Sequence, residues 1–279
     1  MKKHRKWFIT VAILVLVGVF SYVQNNVLTI TEIQVESDKI PEAFTGYRIV
    51  HLSDLHSKEF GDEQGRLVEK IKHLKPDVIF MTGDMVDADR YDEEATIKIA
   101  KQLAHTYPIY FVTGNHEAAS GRYESFEKKL KEHSVNILRN EHAKLTKDGQ
   151  HIYVLGIDDP LFQTGTDDEV NIMRNEIKAA SEEIEQNEFR MLLSHRPEHF
   201  PTYVEENVDL VFSGHAHGGQ VRLPFIGGLV APGQGLFPEY TAGKYKQEDT
   251  SMVVSRGLGN SIIPQRVFNR PEIVLVELQ

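Results

Sequence analysis

The chain has 279 residues, 41% of them hydrophobic, which is enough for one folded core or at most two and sets disorder aside. Its formal net charge of −10 argues against a surface that must neutralise nucleic-acid phosphates, so no nucleic-acid partner is expected. There is no cysteine, which excludes disulfides, thiolate zinc sites and Cys nucleophiles.

Lys2, Lys3, Arg5 and Lys6 precede an apolar run from Trp7 to Val23. That run is about 17 residues long, at the short end of what spans a bilayer as a helix. The basic flank is expected to stay cytoplasmic, placing everything after it on the outer face. Ser21-Tyr22-Val23 is a poor small-residue cleavage site and no Arg-Arg pair is present. The segment therefore reads as an uncleaved signal-anchor of a single-pass membrane protein, with cleavage and secretion as the alternative. The expected division is a basic flank, transmembrane helix and tether over 1–29, with Gln24–Thr29 as the tether, and one globular domain over 30–279.

Ile30 to Val35 alternates apolar and polar residues as an antiparallel strand would. Gln64 to Leu74 places Leu67, Val68, Ile71 and Leu74 on one helical face, and Glu93 to His105 repeats the pattern. Ala143–Thr146 and Ile152–Ile157 read as a hairpin turning at Asp148-Gly149. Asp168 to Glu185 is an amphipathic helix, and Met252–Val254 and Ile273–Leu278 are strands. Gly218 to Gly243, rich in Gly and Pro, reads as one long loop, and loops of that length are usually functional or mobile. Helix–strand alternation in both halves implies two mixed sheets packed face to face and covered outside by helices.

Between these elements, five apolar runs end in turns carrying Asp, His or Asn. Ile49–Ser53 leads into Asp54-Leu55-His56, and Val78–Thr82 into Gly83-Asp84. Ile109–Thr113 leads into Gly114-Asn115-His116-Glu117, Met191–Ser194 into His195, and Leu210–Ser213 into Gly214-His215-Ala216-His217. The carboxyl ends of strands are where α/β sheets build their sites. Asp54, His56, Asp84, Asn115, His195, His215 and His217 mix oxygen and imidazole donors, which suits Mn²⁺, Fe, Co²⁺, Ni²⁺ or Zn²⁺ better than Ca²⁺. Seven ligands exceed one tetrahedral ion but fit two divalent ions bridged by a carboxylate, and Asp84, alone on its turn, is the natural bridge. Two such ions roughly 3.5–4 Å apart can clamp a phosphoryl oxygen and acidify a shared water to hydroxide.

The order Asp-x-His, Gly-Asp, Gly-Asn-His-Glu, a later lone His and Gly-His-x-His resembles the calcineurin-like metallophosphoesterase superfamily. Ser194-His195-Arg196-Pro197, Gly218-Gly219-Gln220 and the tail from Ser255-Arg256-Gly257 to Asn269-Arg270-Pro271-Glu272 are similar to its bacterial, often membrane-attached, envelope branch. The resemblance implies a four-layer α/β/β/α sandwich. It implies that Asp54, His56, Asp84 and His217 hold a first metal, and that Asp84, Asn115, His195 and His215 hold a second. It also implies that catalytic His116 points at the substrate, to stabilise the phosphoryl group or protonate the leaving oxygen.

The expected activity is hydrolysis of a phosphoester or pyrophosphate bond, on a phosphorylated small molecule or a lipid-linked envelope substrate. A nucleotidase or cyclic-nucleotide phosphodiesterase is the enzymatic alternative, and a non-catalytic scaffold the other. Arg222 and Arg256, set among Gly-rich turns, are the leading candidates for binding substrate phosphates, ahead of Arg196, Arg266 and Arg270. Asp87 and Glu117 are expected to orient neighbouring turns, and His51 to face the core. Gly46, Gly83, Gly114 and Gly214 read as backbone-permissive turns.

Overall fold

A computed structural model describes residues 2–163, 168–260 and 264–279; Met1 and the side chains of Lys2 and Lys3 in the basic flank lie outside it. The first half runs α1 (Lys2–Asn26), β1 (Thr29–Val35), β2 (Arg48–Leu52), α2 (Gly65–Leu74), β3 (Val78–Thr82), α3 (Glu94–Leu103) and β4 (Ile109–Val112). There follow α4 (Asn115–Ala119), α5 (Tyr123–Glu132), β5 (Asn136–Ile137), β6 (Glu141–Lys147), β7 (Gln150–Gly156) and α6 (Glu169–Ala180). Next come β8 (Arg190–Leu193), α7 (Phe200–Glu205), β9 (Leu210–Ser213), β10 (Arg222–Leu223) and β11 (Gly227–Gly228). The chain closes with β12 (Val230–Ala231), β13 (Gly235–Leu236), β14 (Gly243–Gln247), β15 (Thr250–Val254) and β16 (Glu272–Leu278).

One six-stranded sheet has the order β1-β16-β2-β3-β4-β5 and the other β14-β15-β9-β8-β7-β6. In the first, β2 to β5 run parallel and β16 lies antiparallel to β2. In the second, β15, β9, β8 and β7 are parallel, with β14 and β6 antiparallel at the edges. The central strands are apolar without alternation because both faces are covered, as every residue of β3, β4, β8 and β9 is buried. Phe80, Val112 and Val276 of one sheet interleave with Met191, Leu193 and Phe212 of the other. Helices α2, α3 and α5 cover the outside of the first sheet, and α6 and α7 the outside of the second. The architecture is the expected four-layer α/β/β/α sandwich, preceded by one long apolar helix.

Three expectations change. β1 pairs with β16 in parallel, not antiparallel. Its alternation records the one-sided burial of an edge strand, which says nothing about direction. Helix α1 continues through Gln24, Asn25 and Asn26, so little of the supposed tether remains; Gln24 and Asn25 are held by hydrogen bonds to the domain. The Gly218–Gly243 loop is not structureless, because β10 pairs with β11 and β12 with β13 as two short ribbons. Two-residue strands leave no periodic trace. Helix α5 was not expected: its buried face, Tyr123, Phe126 and Leu130, is thinly spread among many charged residues.

Candidate metal centre

Each of the five polar turns leaves the carboxyl end of its strand, and all five converge where the two sheets meet. Five residues in these turns have left-handed backbone: Asp54 (φ 52°), His56 (46°), Asp84 (52°), His215 (62°) and His217 (47°). For residues with side chains this conformation costs on the order of 1–3 kcal/mol each and persists only where the surroundings over-determine it. Here hydrogen bonds between turns do so. Asp54 N donates to Gly83 O and His56 N to Asp84 O, both at 3.0 Å. His116 N donates to Asp84 Oδ1 at 2.8 Å and His215 N to Asp54 Oδ1 at 3.0 Å.

Gly83 has the positive φ expected of a permissive turn, whereas Gly114 (φ −118°) does not. A Cβ on Gly114 would lie 2.4 Å from Asp84 Oδ1, and one on Gly214 would lie 1.9 Å from Ser53 Oγ. Gly114 and Gly214 are there for space, so that ligand turns can touch.

The donor atoms form two groups that share Asp84. Asp54, His56, Asp84 and His217 bring ligand atoms within 4.8 Å of one another, as do Asp84, His195 and His215. His56 Nε2 is 3.0 Å from His217 Nε2, and Asp54 Oδ1 is 3.3 Å from His217 Nε2. His195 Nε2 is 3.1 Å from His215 Nδ1, 3.2 Å from Asn115 Oδ1 and 3.2 Å from Asp84 Oδ2. All of these side chains except Asn115, which is half-buried, are buried.

His195 decides what the cluster fits. Its Nδ1 lies 2.7 Å from the Thr82 carbonyl, so Nδ1 carries hydrogen and a neutral ring would aim the Nε2 lone pair at two other acceptors, Asp84 Oδ2 and Asn115 Oδ1. Acceptors facing acceptors call for positive charge between them, a proton or a metal ion. Burial opposes a proton on His195, yet Asp84 beside it pushes the imidazole up to about 10. Burial likewise opposes ionisation of Asp84, but His195, His56 and His116 hold its carboxyl well below the usual range. His217 Nδ1, also buried, has no hydrogen-bond partner among the described residues. A pocket of imidazoles, carboxylates and an amide oxygen that calls for positive charge fits divalent ions of the Mn²⁺-to-Zn²⁺ series.

The sequence profile of the calcineurin-like phosphoesterase family matches residues 47–219, more than half of the chain. The chain belongs to this family. The uncharacterized metallophosphoesterase YkuE of Bacillus subtilis (strain 168) is 30% identical over 94% of this chain and 89% of its own length. A transmembrane protein with metallophosphoesterase domain from Danio rerio is 28% identical over 97% of this chain and 61% of its own length. Among solved structures, TT1561 of Thermus thermophilus shares the fold, with a TM-score of 0.53 at 13% identity over 77% of this chain and 91% of that one. Calcineurin-like metallophosphoesterases are phosphoester hydrolases that typically bind divalent metals, and this chain carries a cluster able to form such a site.

In this metallophosphoesterase the ligand turns are braced from outside. Buried Glu117 accepts from the backbone N–H groups of Asp84 (2.7 Å), Met85 (2.7 Å) and Gly114 (2.8 Å), locking two turns together as expected. Asp87 Oδ2 lies 3.3 Å from His56 Nδ1. His51 faces the core, with Nε2 2.7 Å from Thr82 Oγ1, and burial lowers it to about 3. The half-buried His116 accepts from Ala88 N at its Nδ1 (3.0 Å), and its ring stands edge-on to His56 with centroids 4.5 Å apart.

Four of the five candidate arginines make hydrogen bonds or ion pairs within the domain. Arg256 pairs with Glu272 at 2.7 Å and donates to Thr29 Oγ1, while Arg222 donates to Gly218 O and Thr241 Oγ1. Arg196 is clamped on Asp159 at 2.8 Å, and wholly buried Arg266 serves the carbonyls of Arg256, Gly259 and Asn269. Two supports had no signal in the sequence. Asn269 Nδ2 donates to His217 O (2.7 Å) and Gln220 O (3.0 Å), and Glu198 Oε1 lies 3.7 Å from His215 Nε2.

Proposed function

We propose that this metallophosphoesterase hydrolyses a phosphoester or phosphoanhydride bond at a two-ion centre shared through Asp84. In this assignment Asp54, His56, Asp84 and His217 hold one divalent ion, and Asp84, Asn115, His195 and His215 the other. The observation that carries it is the position of Asp84 Oδ2, 3.7 Å from His56 Nε2 on one side and 3.2 Å from His195 Nε2 on the other. Bound there, the ions supply Lewis acidity toward phosphate oxygens and lower the pKa of water toward neutrality.

His116 is the substrate-facing residue of this reading. Because its Nδ1 accepts from Ala88 N, the ring keeps its hydrogen on Nε2. That favours a hydrogen bond from Nε2 to a phosphoryl oxygen over proton delivery to the leaving group, which would need both nitrogens protonated. Arg222 through Nη1 and Arg256 through Nε and Nη2 brace the loops beside the centre in this reading, which leaves each of them further donors for a substrate phosphate.

Residues 1–29 act as a single-pass anchor and 30–279 as the hydrolase domain, on the outer face of the membrane. The apolar helix and the basic flank before it support this. Protease added to intact cells or spheroplasts should digest the domain; protection until lysis contradicts the orientation.

The substrate is a phosphorylated small molecule or a lipid-linked phosphate. The purified full-length protein with Mn²⁺, screened against monoesters, diesters, nucleotide sugars and polyprenyl phosphates, should hydrolyse at least one class and stop when chelator is added. A fully metal-loaded protein inert toward all of them contradicts the assignment.

A further inference from the structure

The Gly218–Gly243 loop leaves directly from the ligand turn His215-Ala216-His217, and its two ribbons point apolar residues into solvent. Phe225 (108%), Ile226 (60%), Leu236 (75%) and Phe237 (70%) are among the most exposed large apolar side chains of the domain. No charged residue occurs between Arg222 and Glu239, in a chain that is 26% charged. Phe225 (φ 67°) and Phe237 (φ 55°) both hold left-handed backbone, uncommon for bulky residues, and in doing so turn their rings outward. An apolar surface of this kind marks a contact.

The structure also indicates what covers it. Helix α1 does not swing free of the domain. Its Gln24 accepts from Asn269 N at 3.1 Å, and its Asn25 accepts from Arg266 N at 2.8 Å. Higher up, the Phe20 and Phe268 rings meet edge to face with centroids 5.6 Å apart. At about 1.5 Å per residue, Phe20 lies about 9 Å back along the helix from Asn26, inside the apolar run. The 264–269 segment therefore reaches to the depth of the membrane boundary on α1. That same segment carries the ribbons, since Val267 bridges Val221 and Arg222 N donates to Val267 O. The second ribbon is tied to the first through Phe237 N donating to Leu229 O.

We infer that the Gly218–Gly243 loop is a second membrane contact, with the tips around Phe225 and Phe237 seated in the interfacial layer of the bilayer that α1 crosses. Apolar and aromatic side chains partition to this layer without spanning it. The contact rests on the anchor reading above and sharpens its substrate class. It places the turn bearing His215 and His217 at the level of lipid headgroups, so the phosphate hydrolysed is one carried by a membrane lipid.

The test uses full-length protein in vesicles whose acyl chains carry bromine, which quenches tryptophan on contact. Trp7 is the single tryptophan of the chain and reports on α1. In a Trp7→Phe background, Phe225→Trp and Phe237→Trp place the probe on the ribbons, and Val170→Trp places it on the exposed face of α6 as a control. The inference predicts clear quenching in wild type and for both Phe225→Trp and Phe237→Trp, and none for Val170→Trp. Quenching of Trp7 alone would overturn the loop contact and leave the anchor standing. An unquenched Trp7 would overturn both, and equal quenching of Val170→Trp would show unspecific adsorption instead of a docking surface.

Discussion

The two halves of the proposed metal centre are flanked by different kinds of group. In the half built on Asp54, His56 and His217, side chains do the orienting. Asp87 stands 3.3 Å from His56 Nδ1, and Asn269 grips the carbonyl of His217 at 2.7 Å. In the half built on Asn115, His195 and His215, the acceptor behind His195 is backbone, the Thr82 carbonyl 2.7 Å from Nδ1, and the side chain nearest His215 Nε2, Glu198, stands off at 3.7 Å. A backbone carbonyl is fixed by the sheet and cannot be mutated away, whereas Asp87 and Asn269 can. The half flanked by Asp87 and Asn269 should therefore be the easier one to weaken by mutation, and Asp84 is where separability ends.

Removal of the shared carboxylate tests the comparison most severely. Asp84→Ala should lose both ions together and with them essentially all turnover, read by elemental analysis and by hydrolysis of a generic phosphoester. Retention of two tightly held ions would mean that the halves are independent. His116→Ala should leave both halves loaded yet slow turnover by about 10²–10³-fold, the usual scale for one donor to developing charge. As a hydrogen-bond donor to the phosphoryl group, His116 should matter similarly for good and poor leaving groups. A loss that vanishes with a good leaving group would make it a proton donor instead, and a metal-poor His116→Ala would make it a ligand.

The smallest effect sharpens the asymmetry. Asp87→Asn should weaken only the ion held by His56, by about 10–100-fold as is typical for groups behind a ligand, with the other ion unchanged. Metal titration that shows both ions weakened equally would erase the distinction between the halves.

The converging polar turns were legible in the sequence for a physical reason. Strands such as Val78–Thr82 are buried on both faces, so they read as unbroken apolar runs, and a polar residue at their end is conspicuous. The braces at Glu117 and Asp87 were legible beside the turns they hold, whereas the one from Asn269 was not, because it joins residues far apart in the chain through backbone carbonyls that carry no sequence signature. Asn269 finds the carbonyls of His217 and Gln220. The same holds for the pairing of β1, whose neighbour β16 is at the other end of the chain. What the Gly-rich surroundings could not reveal is that Arg256 pairs with Glu272 and that Arg222 donates to Gly218 O and Thr241.

The central claim is that two ions sit side by side and share Asp84. Anomalous diffraction from crystals of the Mn²⁺-loaded protein tests it most directly. The account predicts two peaks roughly 3.5–4 Å apart with the Asp84 carboxylate between them, the usual spacing of paired catalytic ions. A single peak, or two peaks with Asp84 bound to only one of them, would contradict it.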